Sequence, residues 1–124
     1  PGAALHPDLP LHQVGLILRK GTYSHIDSYS AFRENLGPDG VRHSTGLGAL
    51  LHARHIRRVF LCGLARDYCV GWSALDAKTE GFAAVVLDDL TRSVFPERTA
   101  ETDALFARAA VAHGSSQLLL DGAP

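Results

Sequence analysis

Between residues 44 and 120 the chain alternates short apolar runs with longer segments of helical spacing, and this alternation constrains the fold more than any other feature. "IRRVFLCG" (56–63) and "FAAVVLDD" (82–89) are short, apolar and rich in Val and Phe, so both are read as buried strands. Between them, "DYCVGWSALDAKTEG" (67–81) carries an apolar stripe of Val70, Ala74, Leu75 and Ala77, with Asp67 placed to cap the helix and Gly81 to end it. "PERTAETDALFARAAVAHG" (96–114) is a second helix with Pro96 at its start and Gly114 at its end. "STGLGALLHARH" (44–55) predicts a helix capped by Ser44 or Thr45, and "SQLLL" (116–120) a last strand. Upstream, "QVGLILRK" (13–20) predicts a first strand, although Gly15 weakens it. Residues 21–43 read as a long loop with a short helical turn near 28–34 and a tight turn at "GPDG"; the first dozen residues read as an arm. Strands alternating with helices of this length dictate right-handed crossovers and a parallel sheet covered on both faces. The expectation is one three-layer α/β/α domain over 1–124, a length that supports one core and hardly two.

A formal net charge of -1 provides no field for nucleic acid or an anionic membrane, and neither is expected as a partner. The apolar runs are far too short to span a bilayer. Two cysteines make no disulfide framework, so a reducing, cytoplasmic setting is expected. The chain contains no Met and starts at Pro1, which points to a piece of a longer protein.

Both cysteines fall in "LCGLARDYCV" (61–70). Cys62 lies inside a strand and reads as a small buried hydrophobe. Cys69 falls in the first turn of the following helix, beyond the carboxyl end of a parallel strand, where ligands of open α/β sheets bind. Unpaired N–H groups and the helix dipole favour an anion there, here a nucleophilic thiolate. The same N–H groups suit an oxyanion forming on a carbonyl under attack. A packed, inert thiol is the competing reading. Cys-x6-Cys matches no zinc spacing, and no His lies close by in sequence. Lys20 follows the first apolar run, which puts its ammonium at the same sheet edge if the strands are parallel; a solvated lysine is the alternative.

Three segments in order carry a resemblance. "CGLARDYCVGWSALDAKTEGFAAVVLDDLTRSV" (62–94) resembles the nucleophile segment of the nicotinamidase/pyrazinamidase group within the isochorismatase-like cysteine hydrolases. "LRKGTYSHIDSYSAF" (18–32) resembles that group's lysine segment, and "PGAALHPDL" (1–9) the stretch before it. The resemblance implies an Asp, Lys, Cys triad that hydrolyses an amide through a thioester, in NAD salvage. It assigns the nucleophile to Cys69, the lysine to Lys20 and the oxyanion hole to the N–H groups of Ala65 and Cys69. A cis peptide between Leu64 and Ala65 is implied, with Leu64, Tyr68 and Tyr29 bordering the substrate. It also implies a divalent metal (Zn, Fe or Mn). The triad Asp and the metal ligands fall before Pro1 by this comparison, so no ligand lies within the chain and the isolated piece is expected to be inactive. His6, His12 and His25 match no ligand position.

Other residues receive structural readings. His52 and His55 complement a helix C-terminus and His113 ends another helix. Asp27 belongs to a loop turn or a cap, and Asp88 and Asp89 are read as structural. Arg66 stands where the family usually has Thr and is expected to point to solvent. The alternatives to a nicotinamidase are another amidohydrolase of the superfamily, acting on a carbamoyl or ureido compound, and a catalytically silent interaction domain. Homo-oligomers are a further possibility. A nucleotide-binding Rossmann module is disfavoured, because "TGLGAL" is not GxGxxG after a strand.

Overall fold

A computed structural model describes residues 2–122. Helix α1 (Leu47–Ala53) precedes strand β1 (Arg58–Leu64), helix α2 (Cys69–Thr79), strand β2 (Ala83–Arg92), helix α3 (Thr99–Ala109), strand β3 (Ala112–Gly114) and a single turn α4 (Gln117–Leu120). The strands form a parallel sheet in the order β1-β2-β3, so the expected α/β class and parallel topology hold. Consecutive residues Ala84, Val85, Val86 and Leu87 of β2 are all buried, as a central strand shielded on both faces must be. Val70, Ala74 and Ala77 of α2 meet Phe82, Val86 and Phe106 in the core, with Leu47 and Leu51 of α1 packed against its margin. Their spacing is the helical stripe read from the sequence, except that Leu75 lies at the edge while Ser73 and Asp76 are buried.

The run at 13–20 forms no strand. Leu11–Gln13 is a 3-10 turn, and Val14, Leu16 and Ile17 continue as unpaired, exposed chain. An apolar run becomes a strand only where a ladder partner satisfies its backbone, and none is present among the described residues. Residues 28–34 make no helical turn; Arg33 and Ser44 form an isolated antiparallel bridge instead. "SQLLL" is helical, because Ser116 donates from its N–H and hydroxyl to Asp89 and Ser115 Oγ accepts from the Gln117 N–H, which turns the chain before the leucines begin. Leucine is a good helix former, and a short apolar run does not separate the two states. The last strand is instead Ala112–Gly114, and α3 ends earlier than Gly114, on Ala110 in the left-handed conformation (φ 57°).

The caps also differ. Gly46, at φ 89°, holds the cap position of α1; Ser44 Oγ accepts from the Gly46 N–H and Thr45 Oγ1 accepts from the Leu47 N–H while donating to the Ala31 carbonyl, so the two expected residues support the helix start from just outside it. Tyr68 rather than Asp67 precedes α2. The Asp67 carboxylate accepts from the Val94 and Phe95 N–H groups at 2.8 and 2.9 Å, fastening two loops together. Burial pushes this carboxyl up, but those two amides outweigh it and hold it below the ordinary carboxylate value.

β2 runs longer than expected because its pairing with β1 is interrupted. Leu61 pairs with Val86 and Gly63 with Thr91, so one residue of β1 faces four of β2. The extra residues carry Asp88 and Asp89 out of the ladder toward β3 and α4, while the Thr91 hydroxyl donates to the Gly63 carbonyl.

Candidate active site

Cys69 is the first residue of α2, five residues beyond the end of β1. The turn between them contains the cis peptide Leu64–Ala65. The Ala65 carbonyl accepts from the N–H groups of both Tyr68 and Val70, at 3.1 and 2.9 Å. The N–H groups of Ala65 and Cys69 donate none of the turn and cap hydrogen bonds seen among the described residues. An N–H left unpaired in the first turn of a helix suits an acceptor beside the thiol.

Lys20 reaches the same place by a different route from the one expected. It does not end a strand; its segment passes the sheet edge as irregular chain. Its Nζ donates to the Ser28 carbonyl at 2.7 Å and to Cys69 Sγ at 3.5 Å. The loop that supplies Ser28 is clamped onto α2. Ser73 Oγ accepts from the Ala31 N–H at 2.8 Å, and Arg42 meets Asp76 with two parallel hydrogen bonds of 2.9 and 2.8 Å. The Arg42 guanidinium also lies 5.4 Å from the Trp72 ring centroid. No local sequence pattern singles out Arg42, Ser73 or Asp76. The available signal is two polar residues, Ser73 and Asp76, on the buried face of an otherwise apolar helix.

A cavity of about 320 Å³ opens beside Cys69, with Phe32, Leu47, Leu51, Val59 and Leu64 among its walls. Leu64 projects into it with 73% of its surface exposed. Cys62 lines the same cavity and is exposed rather than buried, because no strand covers the outer edge of β1 among the described residues. Tyr68 borders a different cleft, about 200 Å³, with Asp67, Trp72, Phe95 and Arg98. Tyr29 packs edge-on against both Tyr68 and Trp72, with ring centroids 5.4 Å apart in each case. Leu64 and Tyr68 thus face separate spaces, with the thiol's turn between them. The Asp27 carboxylate, and after it burial, push the Tyr29 phenol above its ordinary value, and Cys69 adds to this from nearby.

Arg66 does not point to solvent. It is 7% exposed, paired with Asp88 at 3.1 Å and Asp103 at 2.7 Å, and its guanidinium lies 5.1 Å from the Phe106 ring centroid. Burial opposes its charge, but the two carboxylates outweigh that cost and hold the guanidinium pKa above its ordinary value. His113, in β3 rather than at a helix end, bonds Asp88 through Nδ1 at 2.7 Å. His52 sits in the last turn of α1, but its ring stacks on Phe82 and its Nε2 lies 2.8 Å from the Glu80 carbonyl. Asp88 and Asp89 are both engaged in holding the sheet's carboxyl edge together, through Arg66, His113 and Ser116. Among the described residues no three of His, Cys, Asp and Glu gather as a metal would require.

The arrangement defines a parallel-sheet α/β domain with a thiol and an ammonium joined at the carboxyl end of a strand. A family model described as the isochorismatase domain matches residues 1–116, and the chain belongs to that family. The nicotinamidase of Acinetobacter baylyi is 44% identical over 93 residues, which cover 74% of this chain and 41% of that protein. The crystal structure of PnC1 from L. infantum in complex with nicotinate superposes with a TM-score of 0.85 at 42% identity, covering 94% of this chain and 56% of that one. The pyrazinamidase of Pyrococcus horikoshii in complex with zinc gives a TM-score of 0.73 at 28% identity, covering 93% and 57%. The chain therefore spans about half the length of the proteins it matches.

Proposed function

We propose that the whole protein is a nicotinamidase-type amidohydrolase that converts nicotinamide and water to nicotinate and ammonia. The observation that carries this reading is the 3.5 Å contact between Lys20 Nζ and Cys69 Sγ at the first residue of α2, in a chain whose relatives are nicotinamidases. Cys69 is the nucleophile, with the Lys20 side chain and the amino end of α2 beside its sulfur. The thiolate attacks the carboxamide carbon, and the C=O pair moves to oxygen, where the Ala65 and Cys69 N–H groups receive it. Collapse breaks the C–N bond; ammonia leaves with a proton from an acid, and water hydrolyses the thioester. Lys20, tied to the Ser28 carbonyl, is held in place beside the thiol. Leu64 borders the reacting carbon on the cavity side, and Tyr68 and Tyr29 back the turn from the other.

Among the described residues the contacts of Lys20 are the Ser28 carbonyl and Cys69 Sγ, and neither is an acid that could protonate the departing ammonia. A neighbour is bound to zinc, yet the described His, Cys, Asp and Glu residues do not fit one, and no step above passes through it. No described helix is long and apolar enough to cross a membrane. A cytoplasmic location and a place in NAD salvage accompany the reading.

The test is ammonia release from nicotinamide by this chain and by a version extended to the length of its relatives, each with its Cys69→Ala variant. Turnover in the extended, Cys69-intact version alone is expected. Retained turnover in Cys69→Ala refutes the mechanism, and silence in the extended protein refutes the substrate.

A further inference from the structure

We propose that Arg66 is a positioning residue, whose guanidinium clamps the 63–69 turn so that the Ala65 and Cys69 amides face the oxygen of a carbonyl under attack by Cys69. This rests on the reading of Cys69 as nucleophile.

Residue 66 is held from three elements. Its N–H donates to the Arg92 carbonyl at the end of β2, at 2.9 Å. Its side chain binds Asp88 in β2 and Asp103 in α3, and stacks on Phe106 of α3. Its carbonyl lies against α2 so closely that a methyl group at Gly71 would sit 2.6 Å from it. Asp88 is itself fixed by His113. The peptide that presents the Ala65 N–H is one residue away from this anchor, and the Ala65 carbonyl ties it to Tyr68 and Val70 on either side of Cys69. Displacement of Arg66 thus moves both amides together.

Stability alone does not account for the arrangement. The Arg66 side chain is 9% exposed, and its Nη1 is buried without a partner among the described residues. The two carboxylates compensate the buried charge, but the orphaned donor is a cost that a wholly apolar cluster in place of all three side chains would not carry. What the guanidinium supplies is direction: two carboxylates on two different elements fix a planar fork in one orientation.

The experiment uses the protein extended to the length of its relatives, with Cys62→Ser to leave a single reactive thiol in these segments. Two rates or affinities are compared at fixed pH. Pyridine-3-carboxaldehyde adds reversibly to the thiolate: a C–S bond forms, the carbonyl π pair becomes an oxyanion, and the amides bind it. Iodoacetamide alkylates the same thiolate with loss of iodide and needs no oxyanion site. Arg66→Met is expected to weaken aldehyde binding about tenfold or more, while the alkylation rate changes less than about threefold. Nicotinamide kcat should fall with KM nearly constant, and Arg66→Lys should recover part of the loss. If Arg66→Met does not fold, Asp103→Asn, which removes one partly exposed partner, is expected to give a smaller loss of the same kind. Equal effects on aldehyde and iodoacetamide, or none on either, overturn the proposal. So does failure of the unaltered protein to bind the aldehyde. Aldehyde binding that depends on Arg66 in a protein without nicotinamide turnover supports the positioning role and refutes only the substrate.

Discussion

Asp76→Ala tests whether the loop that delivers Lys20 is held by one ion pair. Asp76 accepts two hydrogen bonds from Arg42, with the two side chains 10% and 29% exposed. Breaking a fully buried pair costs about 3–5 kcal/mol, because the surviving charge is left uncompensated. An exposed pair contributes below about 1 kcal/mol. At this intermediate burial the expected loss is about 2 kcal/mol, since water reaches Arg42 once its partner is gone and the Glu34 carbonyl still accepts from its Nε. For a domain of this size that is a fall in Tm of about 8 °C. The assay is thermal unfolding of the unaltered chain, Asp76→Ala, Arg42→Met and the double variant. Because both single changes strand a partner, the double variant should be less damaged than their sum, with a coupling of about 1–2 kcal/mol. A Tm shift below 2 °C (less than about 0.5 kcal/mol), or strict additivity in the cycle, refutes the view that this pair clamps the loop to α2.

Gly71→Ala should lower stability by about 1–3 kcal/mol and slow nicotinamide turnover by the whole protein, because the new methyl meets the backbone carbonyl of Arg66, which cannot swing aside as a side chain would; unchanged denaturant midpoints refute this. Asp67→Asn should flatten the acid limb of the stability curve. The folded Asp67 carboxyl lies below its ordinary value of 3.8, so its contribution is complete above that value and is lost as the pH falls through the lower folded one. Stability against pH, followed in urea from pH 6 to 2, checks it, and identical acid limbs for the two proteins count against the assignment.

The elements legible in the sequence are those whose partners lie close along the chain. The β1–α2–β2 unit follows from two apolar runs and one helical stripe, and its turn places Cys69 without further information. The errors share a cause. Residues 13–20 have the composition of a strand but no ladder partner, and 117–120 are turned by Ser115, Ser116 and the distant Asp89. Asp67 resembles a cap, yet it binds amides 27 and 28 residues away. Arg66 has no pattern at all; its burial depends on Asp88, Asp103 and Phe106 meeting at one place.

The sequence by itself determined the α/β class, the order of the central helices and strands, and the thiol at a helix's amino end. Periodicity and capping chemistry act over a few residues, and local order expresses them directly. Only the tertiary structure decided that Lys20 meets Cys69 across 49 residues of chain, that Arg42 and Asp76 hold the intervening loop, and that Arg66 is buried. Those contacts exist because packing brings distant charges out of water together, and a buried charge accepts few arrangements besides the one that pairs it.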